Sequence, residues 1–156
     1  TANAWVASLA DSIKQGAIFI IDYGHSQASY YHPQREKGTL MCYYQHQAHD
    51  NPLTLLGLQD ITAHVNFTSL AQTALEHNLD IEGFQSQADF LLAGGITELI
   101  PAYEQCDELT YLQLTTEIKQ LTHPSTMGET FKALTLSRNL NTVLDRCQLG
   151  DRRYTL

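Results

Sequence analysis

Ala17-Ile18-Phe19-Ile20-Ile21-Asp22-Tyr23-Gly24 is the stretch that decides the fold. An unbroken, isoleucine-rich run ending in Asp and Gly reads as a strand buried on both faces. Such strands belong to α/β sheets with helices on each side. Upstream, Trp5, Leu9 and Ile13 repeat every four residues with Val6 and Ala10 beside them, which predicts one apolar face of a helix. Gly16 is placed to stop that helix as its C′ residue. Downstream, residues 25–66 are rich in His, Gln, Tyr and Pro and hold no period. Thr39 to Tyr44 is a candidate for a short strand. A loop of this length is uncommon in a compact domain and is usually functional or mobile. The segment is therefore expected to be a substrate loop, mobile over 25–38.

Helical spacing resumes at Phe67, Leu70, Ala71, Ala74 and Leu75, with Asn66 as N-cap. Leu79 to Phe84 predicts a strand, 86–93 a helix stopped by Gly94-Gly95, and Ile96 toward Pro101 a short helix. Asp107 caps a third helix whose inner stripe is Tyr111, Leu114, Ile118 and Leu121, ended by His123-Pro124. A strand over about 130–137, with Phe131, Ala133 and Leu136 turned inward, closes the pattern. The order is α/β, but three strong strands are fewer than a doubly wound sheet needs. The chain also starts without Met inside a helix. Both features lead us to expect an excerpt of a longer protein.

Composition narrows the function classes. The 156 residues suit one domain or a piece of one, and 43% hydrophobic residues suffice for a core. Nine Lys and Arg against seventeen Asp and Glu give −8, so no broad field attracts phosphate backbones and nucleic acid is not expected as a partner. Lys132, Arg138, Arg146, Arg152 and Arg153 crowd the C-terminal end, read as a solvated edge with a binding patch as the alternative. Cys42, Cys106 and Cys147 are scattered and odd in number, which points to a reducing compartment without disulfides. The longest strongly apolar run, Ala17 to Ile21, is far short of the roughly 20 residues of a membrane span. Neither membrane insertion nor a signal peptide is expected.

Candidate chemistry gathers at two places. Asp22 stands at the carboxyl end of the first strand, the edge where open α/β sheets bind ligands. It can accept from a ligand, or bond its own backbone ahead of Gly24. In Asp60-Ile-Thr62-Ala-His64-Val-Asn66, the alternate residues share one face if the segment is extended. Carboxylate, hydroxyl and imidazole on one face can hold a cation or move a proton. Equally, His64 can pack at a helix start with Asn66 as a simple cap. His46-x-x-His49-Asp50 lacks a third fixed ligand, so no metal is expected. Ser125-Thr-Met127-Gly128 is too short for a phosphate loop. GxGxxG, GxxxxGK[ST] and GxSxG are all absent from the sequence.

Ile21-Asp22-Tyr23-Gly24, Gly38-Thr39-Leu40, Asp60-x-Thr62-Ala63-His64-Val65-x-Phe67, Gly83-x-x-x-Gln87-x-x-Phe90-Leu91 and Met127-Gly128-x-x-Phe131-Lys132-x-Leu134 occur in that order. Over about residues 16–137 the chain resembles the C-terminal half of the MidA-like family of S-adenosyl-L-methionine (SAM)-dependent methyltransferases. Mitochondrial members of that family are implicated in respiratory complex I assembly as protein arginine methyltransferases. The resemblance implies the C-terminal portion of a Rossmann-like class I fold. Strands 17–24, 79–84 and 130–137 would be its fifth, sixth and antiparallel seventh, and 25–66 and 86–122 would be insertions.

It also implies SAM as cofactor, held by a half that precedes residue 1, so no residue of this chain is assigned to cofactor binding. A protein acceptor is implied, possibly a complex I subunit, in the cytoplasm or in the mitochondrial matrix of a eukaryote. Asp60 is the first catalytic candidate and Asp22 the second, with His64 as orienter or proton relay. Thr62, Tyr23, Gln87 and Met127 are the substrate-binding candidates. The family usually has Asp where this chain has Asn66, which fits a cap better than a catalytic acid. The competing readings are a non-catalytic protein-binding scaffold and a small-molecule methyltransferase. A complete E-x-G-x-G-x-G motif upstream would decide for an enzyme.

Overall fold

The structure is a computed structural model that describes residues 1–45, 47–142 and 144–156. In chain order the elements are α1 Ala2–Ser12, β1 Gly16–His25, α2 Gln27–Tyr30, β2 Met41–Tyr44, β3 Gln47–His49 and β4 Asp60–Thr62. There follow β5 Val65–Asn66, α3 Phe67–Glu76, β6 Asp80–Ser86, α4 Gln87–Ala93, α5 Glu108–Thr122 and β7 Phe131–Arg138. Short 3-10 turns join several of them. The main sheet runs β5-β1-β7-β6 and the second sheet β3-β2-β4. β1 is parallel to β5, whereas β7 lies antiparallel between β1 and β6, so the sheet is mixed.

The core lies between one face of the main sheet and the pair α1 and α3. Val6, Ala10, Leu70 and Ala74 from the helices meet Ile20, Phe84, Leu134 and Leu136 from the strands. The helix stripe is thus displaced from the expected one. Val6 and Ala10 face the core, whereas Trp5 is 52% exposed. Gly16 does not cap α1. The helix ends at Ser12 with Ile13 extended, and Gly16 opens β1. Its terminal carbonyls are closed from afar: Arg138 Nη1 donates to Ala10 O at 2.6 Å and to Ile13 O at 3.1 Å.

Burial on both faces belongs to β7, not to β1. Ala133 to Ser137 are all buried, while Phe19 and Ile21 of β1 are 53% and 44% exposed. The reason is position. β7 has a strand on each side for most of its length, while β1 meets β5 only at Gly24 and His25. The second face of β7 and β6 is covered by α4 and the C-terminal segment, where Gln85 Nε2 donates to Arg146 O at 3.2 Å.

Residues 25–66 are not an irregular loop. They carry α2 and the three-stranded antiparallel second sheet, of which only β2, inside the expected Thr39–Tyr44 strand, matches the sequence pattern. The C-terminal cations are not simply solvated either. Arg152 pairs with Glu129 and Asp89, Arg153 with Asp151, and Lys132 with Glu129. α3, α4 and α5 form where the pattern placed them. Asn66, Ser86 and Asp107 each accept a backbone N–H of the first turn. Among the described residues no helix is long and apolar enough to cross a membrane.

Candidate active site

β1 and β5 bring the two sequence clusters together. Gly24 pairs with Val65 and His25 with Asn66. A Cβ on Gly24 would collide with Val65 O and the Phe67 ring, so only glycine lets the strands approach this closely. The contact carries His64 back to the carboxyl end of β1. β4, paired with β2, holds Asp60 and Thr62 beside it.

The result is a cavity of about 460 Å³ walled by Tyr23, Tyr43 and Phe131, with Asp60, Thr62 and His64 among its polar lining. Tyr23 Oη and Thr62 Oγ1 are hydrogen-bonded. The Tyr23 ring stands edge-on to His64 at 5.6 Å and to Phe131 at 5.4 Å. His64 N–H donates to Thr39 Oγ1 at 3.2 Å, which ties the Gly-Thr-Leu segment to the site.

The electrostatics favour a neutral imidazole beside a carboxylate rim. Burial pushes the His64 pKa down and Arg35 adds to that, while Asp22 pulls the other way. Burial also raises the Tyr23 phenol, with Asp22, Tyr43 and Asp60 contributing, so its oxygen keeps its proton. Asp60 is exposed at the edge of the cavity, where a carboxylate can meet an incoming cation.

Not every anticipated residue arrives. Asp22 lies outside the cavity lining, and its Oδ1 accepts the Tyr23 N–H at 2.8 Å, the backbone-bonding alternative. Gln87 is buried, with Nε2 donating to Leu121 O at 2.9 Å, so it ties α4 to the end of α5. Met127 sits between α5 and β7, where its carbonyl accepts the Phe131 N–H. Asn66 caps α3, its Oδ1 accepting from Ser69 N–H at 3.2 Å.

Tyr43, Thr39 and Phe131 line the cavity without having been singled out as site residues. Phe131 alternates with core residues along its strand, and Tyr43 falls in a strand of four residues. His46 lies outside the described residues. Among those described, no group of three or more His, Cys, Asp or Glu could hold a metal ion.

The mixed sheet makes this an α/β protein, and the polar, aromatic-walled cavity lies at the carboxyl end of β1, the edge where open α/β sheets bind ligands. The chain belongs to the family described as “Putative S-adenosyl-L-methionine-dependent methyltransferase”, which matches residues 1–85. Two solved structures from Burkholderia thailandensis are similar over 99% of this chain. One, described as an uncharacterized protein, has 40% identity and a TM-score of 0.93, and this chain covers 41% of it. The other, described as a “likely methyl transferase” bound to S-adenosyl-homocysteine, has 39% identity and a TM-score of 0.90, and this chain covers 40% of it. The chain therefore spans about two fifths of the length of these structures. A comparison with curated proteins finds no match.

Proposed function

We propose that this chain forms the acceptor side of a SAM-dependent methyltransferase. In this reading it is the C-terminal portion of a Rossmann-like domain, with β1, β6 and β7 as fifth, sixth and seventh strands. The antiparallel β7 between the other two supports that assignment. The acceptor is a protein side chain, arginine first. Following the family resemblance, a respiratory complex I subunit is the partner. Free Cys42, Cys106 and Cys147 suit the cytoplasm or the mitochondrial matrix.

The observation that carries the reading is the convergence of Tyr23, Asp60, Thr62 and His64 on one aromatic-walled cavity. Asp60 supplies the charge that holds a guanidinium, and the Tyr23, Tyr43 and Phe131 rings offer faces to a planar cation. Neutral His64 accepts the proton that the acceptor nitrogen gives up. SAM supplies the methyl group when bound. The donors of this cavity fit the acceptor's side of that transfer. The glycine-rich turn that cradles the cofactor has no counterpart in this sequence, so its binding falls to other residues of the active protein.

One observation favours the scaffold reading. Leu53, Leu56 and Leu58, on the loop before β4, are 78%, 71% and 68% exposed, a surface suited to a protein partner. NMR titration with a Gly-Gly-Arg-Gly-Gly peptide separates the two. Shifts centred on Tyr23, Thr62 and His64, absent with the lysine analogue, support the acceptor site. Shifts confined to residues 53–58, or none, overturn it.

A further inference from the structure

His25 lies outside the cavity just described, yet its ring stands 4.8 Å from that of His64, edge to face. It lines a second, more open cavity of about 410 Å³ with Ser26, Ser29, Glu129 and Arg152. Thr130 lines both cavities, so the two are neighbours and the imidazole pair stands between them.

Each ring leaves one nitrogen buried and without a hydrogen-bond partner: Nε2 of His25 and Nδ1 of His64. A buried ring nitrogen left unpaired is costly, and the two needs are complementary. If both rings carry their proton on Nδ1, His64 has a donor to offer and His25 an acceptor. That arrangement also leaves Nε2 of His64 free to accept, and Nδ1–H of His25 free to donate.

We propose that His25 is the proton-exit partner of His64, passing to the open cavity the proton that His64 takes from the acceptor. The proposal rests on the methyl-transfer reading above. As the acceptor's N–H bond breaks, its proton bonds to His64 Nε2. The proton on His64 Nδ1 passes to His25 Nε2, and His25 gives its own Nδ1 proton to water in the open cavity. Nothing is oxidised or reduced, and the net change is one proton moved from acceptor to solvent. Tautomer exchange of the two rings resets the pair.

The charges around the pair suit transit rather than storage. Burial, then Arg35, His64 and Lys132, disfavour a charge resting on His25, and burial and Arg35 disfavour one on His64 against the pull of Asp22. Glu129 offsets Lys132 and Arg152 at the mouth of the exit.

The test begins without any variant. Imidazole ¹⁵N NMR of the cofactor-binding protein is expected to show both His25 and His64 as Nδ1–H tautomers, against the Nε2–H preference of free histidine. In His64→Gln, the His25 signal should lose that tautomer, and its titration midpoint should rise. Two Nε2–H rings that titrate independently overturn the proposal.

The second arm is turnover with the Gly-Gly-Arg-Gly-Gly peptide and SAM. His25→Gln should lower kcat about tenfold with both KM values unchanged, and show a larger solvent isotope effect. Unchanged kcat and isotope effect overturn the relay. Wild-type protein that binds S-adenosyl-homocysteine but methylates no arginine peptide overturns the acceptor reading instead. The tautomers then still decide the pairing.

Discussion

At the scale of single residues, Asp60 and His64 divide the chemistry, and substitution separates their parts. Asp60→Asn keeps shape and one acceptor but removes the charge that orients a guanidinium. Methyl transfer is expected to fall about 10²-fold, the cost of a misplaced acceptor, with an unchanged melting temperature. His64→Gln should cost less, because a residual water can take the proton. A purely structural role would instead lower the melting temperature of both variants, with activity tracking the folded fraction.

The half-buried imidazole of His25, next to His64, also sets a pH dependence. Burial first, then Arg35, His64 and Lys132, hold the His25 pKa at about 4, below the ordinary 6.5. Between those values the unfolded chain binds more protons than the folded one, so stability rises with pH. The contribution is present above about pH 6.5 and lost as pH falls toward 4. Melting temperatures measured across that window should fall for the wild type and fall less for His25→Gln. Half the site was legible at this scale. Asp60, Thr62 and His64 alternate along an extended segment, and Tyr23 lies near the end of a strand that announces itself. His25 was illegible because its meaning is a distance to His64 across a parallel strand pair.

At the scale of elements, periodicity found what local patterns govern. α3 and α5 were legible because their stripes run for three or four turns behind polar caps. β2, β3 and β4 are three or four residues long, too short for alternation to stand out among histidines and glutamines. β1 was given the double burial that belongs to β7, because strand order and the covering C-terminal segment are not local properties. Caps make a direct test. Asn66→Ala should destabilise by about 1 kcal/mol in chemical denaturation, while Asn66→Asp should be near neutral with activity retained. Activity lost in Asn66→Ala without loss of stability would return Asn66 to the list of catalytic groups. Arg138 is an element-scale residue too, closing α1 from β7. Arg138→Met removes charge-assisted bonds worth about 1.5–3 kcal/mol each before solvent screening. It should loosen α1, read as faster amide exchange over residues 2–12 than over α3.

At the scale of the whole molecule, β1 leaves most of one edge unpaired, with Phe19 and Ile21 exposed on its face. Residues 1–156 by themselves are expected to bind a hydrophobic dye and to bind no measurable SAM in calorimetry. A polypeptide of the length of the solved relatives should reverse both. This scale was the least legible, since what covers a face is read from packing rather than from the order of residues. In the proposed function the Asp60–His64 cavity receives the group to be methylated. Single-turnover transfer of a labelled methyl group from SAM to an arginine peptide, wild type against Asp60→Asn, tests it most directly. Measurable transfer by the wild type is expected, with a loss of about 10²-fold in the variant at equal cofactor affinity. Near-normal transfer by Asp60→Asn would contradict it.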